Sequence, residues 1–197
     1  MLEQLEKFLK NRYTIFSIVA VILIIIAVNV NSYFQNKKNE SEFLRFVEIN
    51  DAFAIEGAAS DLSDNLNLNF ENFGYELIAK SILAKKSLDE GNQDLAYSIY
   101  TELYSSLSKS NIDSETLKIM QEQFSENILR LTMELDLYES GEEFINKSSL
   151  DSVRFFEISG DFYKFFENFD KANEWYNKAI NSDISENQKD LIRLKLI

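Results

Sequence analysis

Glu157 and Asp161 stand four residues apart, a spacing that sets two carboxylates on neighbouring turns of a helix, where like charge can raise one pKa toward the range of a general acid. Arg154 and Lys164 flank the pair and offset its charge, so a solvated acidic face is the simpler reading. Few other groups could do chemistry. The chain has no cysteine and no histidine, which removes thiolate nucleophiles, imidazole bases and the usual zinc ligands. The run Asp61–Asn72, DLSDNLNLNFEN, alternates oxygen-bearing side chains as a calcium loop does, but Leu66 stands where the turn glycine belongs and Asn72 where the bidentate glutamate belongs. It reads as a loop or a frayed helix end. No glycine-rich phosphate cradle occurs. No catalytic, metal-ligating or cofactor-binding residue is expected, and the chain is not expected to be an enzyme.

The 197 residues carry 33 acidic and 20 basic side chains, a formal charge of -13. The first 34 residues hold three basic groups against two acidic, so the remainder stands at -14. Such a surface repels nucleic-acid phosphates and attracts basic partners. Proline is absent and glycine occurs five times, a poor vocabulary for tight sheet turns and a sufficient one for helices with short connectors.

Tyr13–Val30, YTIFSIVAVILIIIAVNV, contains no charge, and extended to Phe34 it has the length to cross ~30 Å of hydrocarbon at ~1.5 Å per residue. A buried core helix would carry a polar stripe, and here only Ser17 interrupts Ile15–Val28. A cleaved signal peptide has a similar grammar, but the run is long and its exit lacks a small-x-small pair, so an uncleaved anchor is expected. Tyr13 at one end, with Tyr33 and Phe34 at the other, suits the two interfacial belts. Orientation is nearly tied by charge, with Lys7, Lys10 and Arg12 before the span and Lys37, Lys38 and Arg45 after it. A short N-terminus inside and a large acidic domain outside is the preferred arrangement.

Beyond the span, apolar residues from Phe43 to Ile55 recur at helical spacing from about Ser41. Paired helices follow: Tyr75–Leu88 with Gln93–Leu107 across a break at Asp89–Asn92; Glu115–Leu135 with Tyr138–Ile145; and Ser152–Phe166 with Asp170–Ile180. Phe124, Ile128, Leu131, Met133 and Leu135 are the core candidates of the second pair.

In the third pair Phe156, Gly160, Tyr163, Ala172, Tyr176 and Ala179 fall at relative positions 4, 8, 11, 20, 24 and 27 of a repeating unit. These are the tetratricopeptide signature positions. Small residues at Gly160, Ala172 and Ala179 let two helices approach, and the aromatic rings fill the space around them. The first pair matches in part, with Ala84, Ala96, Tyr100 and Leu103 at positions 8, 20, 24 and 27 and Ser87 where an aromatic is usual. The second is degenerate: with Phe144 at position 24, Ser140 falls at 20, Leu131 at 11 and Ile128 at 8.

The expected fold is therefore all-α: an N-terminal transmembrane helix followed by a tetratricopeptide-like α-solenoid of about three helical hairpins. Its divisions are a cytoplasmic N-terminus over 1–12, a transmembrane helix over 13–34, a leading helix and connector over 35–72, and the solenoid over 73–197. In such a unit the first helix lines a concave groove. Arg154, Glu157, Asp161, Lys164 and Phe165 of the third pair would face it, as would Ser81, Lys85 and Leu88 of the first. The same residues fit an ordinary polar helix face equally well. Trp175 reads as partial core rather than a ligand platform.

The order of anchor, leading helix and hairpins, ending in Phe155–Ile197, FFEISGDFYKFFENFDKANEWYNKAINSDISENQKDLIRLKLI, resembles the ancillary SecYEG translocon subunit family, the YfgM family. The scarcity of alanine and the eroded second repeat depart from its pattern. The resemblance implies a single-pass inner-membrane protein with a periplasmic repeat domain, whose partners are Sec translocon subunits and a membrane-anchored periplasmic chaperone of the peptidyl-prolyl isomerase type. Competing expectations are a scaffold of another envelope assembly or secretion machine, a carboxylate-dependent enzyme behind a repeat scaffold, and a structural homo-oligomer.

Overall fold

Apolar residues at helical spacing and the lack of proline become, among the residues the structure describes, nine helices and no strand. The structure, a computed structural model, describes residues 12–54, 59–108 and 110–196, and the side chains of 12–29, 54 and 65 lie outside that description. The helices are α1 (Arg12–Ala54), α2 (Ala59–Asn65), α3 (Phe73–Asp89), α4 (Gln93–Leu107), α5 (Ser114–Glu134), α6 (Tyr138–Lys147), α7 (Val153–Phe165), α8 (Phe169–Ile180) and α9 (Glu186–Arg193). Residues up to Glu48 and residues from Ile49 onward are two separate compact units.

The backbone of the apolar run is helical and forms the N-terminal part of α1. Among the described residues no helix is long and apolar enough to cross a membrane. Residues 1–11 of the segment expected as a cytoplasmic start over 1–12, and the side chains of Tyr13–Asn29 in the expected span, lie outside the described residues. Tyr33 and Phe34, assigned to an interfacial belt, are exposed with their rings 5.9 Å apart.

The second unit holds three antiparallel helix pairs, α3/α4, α5/α6 and α7/α8. Each pair turns on one device. Gly91, Asp136 and Glu167 adopt positive φ of 76°, 54° and 58°. At each turn the residue after the left-handed one donates its N–H five residues back, Asn92 to Ser87, Leu137 to Thr132 and Asn168 to Tyr163, at 2.8, 2.8 and 2.9 Å. The left-handed residue itself donates three residues back, to Leu88, Met133 and Lys164. This is the Schellman closure of a helix C-terminus. Five residues beyond each left-handed position lies a buried small residue: Ala96, Gly141 or Ala172.

That shared geometry corrects the register of the second repeat. Gly141, not Ser140, occupies position 20, so Leu129 falls at 8, Thr132 at 11 and Ile145 at 24, and all four are buried. Only the first turn carries the glycine that advertises a left-handed residue; the other two turns use Asp136 and Glu167, which carry no such mark. A left-handed conformation costs a non-glycine residue about 1–2 kcal/mol, while glycine's extra unfolded-state freedom returns about 0.5–1 kcal/mol. Glu167→Gly is accordingly expected to stabilise the domain by about 0.5–1 kcal/mol in urea melts, and Gly91→Ala to destabilise it.

The third pair packs as its signature requires. Ala172, Tyr176 and Ala179 are fully buried and Gly160 lies against the Tyr176 ring, where an added Cβ would meet Cδ1 at 2.5 Å. Phe155, rather than Phe156, is the buried ring of the first turn of α7, and Phe156 packs half-buried beside it. Trp175 is half-buried, edge-on to Phe155 at 6.0 Å, with Lys178 Nζ 3.7 Å above its ring. Phe124, Ile128 and Leu131 are core, whereas Met133 and Leu135 are half-buried.

The calcium-like run is part helix and part extended chain. α2 takes up Asp61–Asn65, and the following segment buries Leu68 and Phe70 against the repeats. Lys80 ties it down. This side chain is 5 % exposed and donates to Glu76, Glu102 and Asn69 at 2.7, 2.9 and 3.2 Å. Burial opposes its charge, but the two carboxylates outweigh it and hold the ammonium above the usual lysine range.

Candidate partner-binding groove

The first helices of the three pairs, α3, α5 and α7, present the face that the sequence marks as a groove, and the structure divides that face in two. Between α3 and α5 lies an open apolar cleft of about 490 Å³. Ser81 and Lys85 line it as expected, together with Leu77, Ile78 and Ile82 from α3 and Ile119, Met120, Gln123 and Phe124 from α5. Ile78 and Ile119 are 48 % and 61 % exposed, unusual for side chains of their size. A second depression of about 740 Å³ continues from it, sharing Leu77 and Met120 and reaching Phe70, Phe73 and Ile112. Leu88 is exposed at the end of α3 but does not line the cleft.

On α7 the expected groove residues are held by the chain itself. Arg154 pairs with Glu126 of α5, whose other oxygen accepts from Arg130 at 2.8 Å. Lys195, beyond α9, reaches back to Glu157 at 2.6 Å and to both Asp161 oxygens at 2.9 Å. Lys164 donates to the Lys195 carbonyl at 2.9 Å. Phe165 is 57 % exposed, its ring edge-on to Phe166. The two subsets differ in their surroundings: Ser81 and Lys85 border the open cleft, whereas Glu157, Asp161 and Lys164 are each engaged by Lys195, more than thirty positions away.

The electrostatics follow from these pairings. Burial resists the charge of Lys195, but Glu157 and Asp161 outweigh it and raise its pKa. Tyr176 donates its hydroxyl to Asp161 at 2.8 Å, and burial together with that acceptor pushes the phenol well above its ordinary range. The carboxylate pair thus serves as a seat for an ammonium. Ile192 is the one buried side chain of α9, so polar contacts carry much of the segment's attachment. Lys195→Ala is expected to raise amide exchange across 186–193 while α7 and α8 keep their protection, read by hydrogen-exchange mass spectrometry.

Glu126 joins α5 to α7 and carries a pH dependence. Burial raises its pKa, but hydrogen bonds from Arg130 and Arg154 outweigh that and leave it below the usual glutamate range. A depressed folded pKa contributes stability above the unfolded value, lost as pH falls through the folded one. Glu126→Gln is therefore expected to be the less stable protein near pH 7, with the gap to wild type closing in denaturant melts below about pH 4.

The residues that sequence reasoning missed are Ile78, Ile82, Ile119 and Met120. Part of their signal was present: Ile78, Ile82 and Ile119 are apolar yet stand off the stripes formed by Ala79, Leu83 and Ala84 on α3 and by Phe124, Ile128 and Leu131 on α5, whereas Met120 continues the α5 stripe one turn toward its N-terminus. Across the described residues no group of three or more acidic side chains is placed to hold a metal ion. A family described as a tetratricopeptide repeat-like domain matches residues 8–197. Comparisons with curated proteins and with solved structures return no match.

Proposed function

Because the chain belongs to the tetratricopeptide repeat-like domain family, a class that holds other proteins, we propose that it is a membrane-anchored protein-interaction scaffold, an accessory subunit of the Sec translocon that links it to periplasmic chaperones. The observation that carries the scaffold reading is the apolar cleft between α3 and α5, which leaves Ile78 and Ile119 uncovered. Tyr13–Phe34 is the anchor, with the repeats on the periplasmic side of the inner membrane. The family match begins at residue 8, ahead of the apolar run, which supports reading run and repeats as one design. Tethering raises the local concentration of the groove at the membrane, so even weak contacts with an emerging chain or a chaperone become productive. Its role is binding without catalysis, and its charge of -13 disfavours nucleic acid as a partner.

The native chain lacks cysteine, so a single introduced thiol is a unique crosslinking handle. Ile78→Cys and Ile119→Cys, crosslinked in intact membranes and purified in mild detergent, are expected to carry translocon subunits and a membrane-anchored chaperone. Crosslinks leading only to another envelope assembly or secretion machine would transfer the same scaffold to that machine and sink the Sec assignment.

A further inference from the structure

The scaffold reading leaves open what kind of segment the cleft holds, and its chemistry narrows the choice. An extended peptide carries one N–H and one C=O per residue that need partners once shielded from water. Among the cleft's lining only Ser81, Lys85 and Gln123 bear polar side chains. Such walls cannot satisfy an extended backbone. A helix satisfies its own backbone and presents side chains alone, so it suits walls of Leu77, Ile78, Ile119 and Phe124. Along α3 the apolar cleft runs from Leu77 to Lys85, roughly 12 Å or about two helical turns.

Charge selects the outer face of that helix. The chain beyond residue 34 stands at -14, and one turn to either side of Ile119 on α5 lie Glu115 and Glu122. Glu71 lines the depression that adjoins the cleft. Lys80, Lys85 and Lys118 are the cations on these stretches; Lys80 is buried on Glu76 and Glu102, and Lys85 lies 3.9 Å from Asp89. Resting on the scaffold reading, we infer that the α3–α5 cleft seats an amphipathic helix of a partner protein, about two turns of it within the cleft, with aliphatic residues facing inward and lysine or arginine outward.

The experiment uses the full chain in non-ionic detergent with synthetic probes in fluorescence anisotropy. A leucine/lysine amphipathic peptide of about 14 residues is compared with a leucine/glutamate peptide of the same apolar pattern and with a leucine/lysine peptide broken by two central prolines. Ile78→Asp combined with Ile119→Asp supplies the cleft variant; the two side chains are 48 % and 61 % exposed and lie outside the buried core, so its thermal melt should stay close to wild type. The leucine/lysine helix is expected to bind wild type at least about tenfold tighter than either comparison peptide, and at least about tenfold tighter than it binds the variant. Equal binding to wild type and variant would place the peptide on the acidic surface or the micelle and overturn the inference. Equal binding of the proline-broken peptide would overturn the helical occupant. Neither outcome touches the crosslinking result, so a cleft that fails these probes but crosslinks to envelope proteins leaves the scaffold reading standing, and the converse identifies the occupant while refuting the Sec partners.

Discussion

Phe162→Ala is expected to cost the repeat domain about 3–5 kcal/mol. Phe162 is fully buried on α7, where its ring stacks on Tyr138 at 5.8 Å and meets Tyr163 and Phe166 at 5.3 and 5.0 Å. Two of those partners lie on α7 or just after it, but Tyr138 opens α6, so the ring joins the second repeat to the third. Removing it forfeits the transfer energy of a large side chain and leaves a cavity between two helix pairs that cannot close without moving one of them. At about 2–4 °C per kcal/mol for a domain of this size, the melting temperature should fall by about 10 °C. A loss below about 1 kcal/mol, measured by urea denaturation of the full chain in detergent, would mean that the second and third repeats do not stack as described.

Gly141→Ala is expected to be the second large effect, and its sign runs against helix propensity. Alanine in a helix is favoured over glycine by about 1 kcal/mol. Here the new Cβ would lie 2.2 and 2.6 Å from Phe162 ring carbons and 2.9 Å from Thr132 Oγ1. None of these neighbours is free to withdraw: the ring is enclosed, and Thr132 is fully buried with its hydroxyl donating to the Leu129 carbonyl. Overpacking at such a site costs about 1–3 kcal/mol, enough to outweigh the propensity gain. Because the clash is with the ring, Phe162→Leu should absorb part of it, and the double variant should be less destabilised than the sum of the singles. Additive losses would place the strain elsewhere in α6.

These two residues explain the eroded second repeat. Where the third repeat carries Tyr163 at position 11, the second carries Thr132, and the first carries Ser87, both buried hydroxyls bonded within their own helix. In the second repeat a ring supplied by the next repeat fills the space: Phe162 enters the notch over Gly141 and Thr132. The repeat is thus completed by its neighbour, as expected of units that cannot bury their faces alone. Its signature was illegible because half of it is written in another repeat.

Local chemistry was legible in the chain itself. The boundaries of α3 to α8 follow from apolar periodicity and from capping by Asn92, Asp113, Ser152 and Asn168, all interactions spanning a few residues. The close approach at Gly160, Ala172 and Ala179 was likewise readable, because one hairpin contains both of its walls. Tertiary structure alone decided what depends on distant partners. It set the second register through Phe162, turned Glu157 and Asp161 from groove residues into a seat for Lys195, and left Ile78 and Ile119 bare beside the cleft. Helical spacing says which side chains share a face; whether a face is covered depends on segments tens of residues away, which no local pattern encodes.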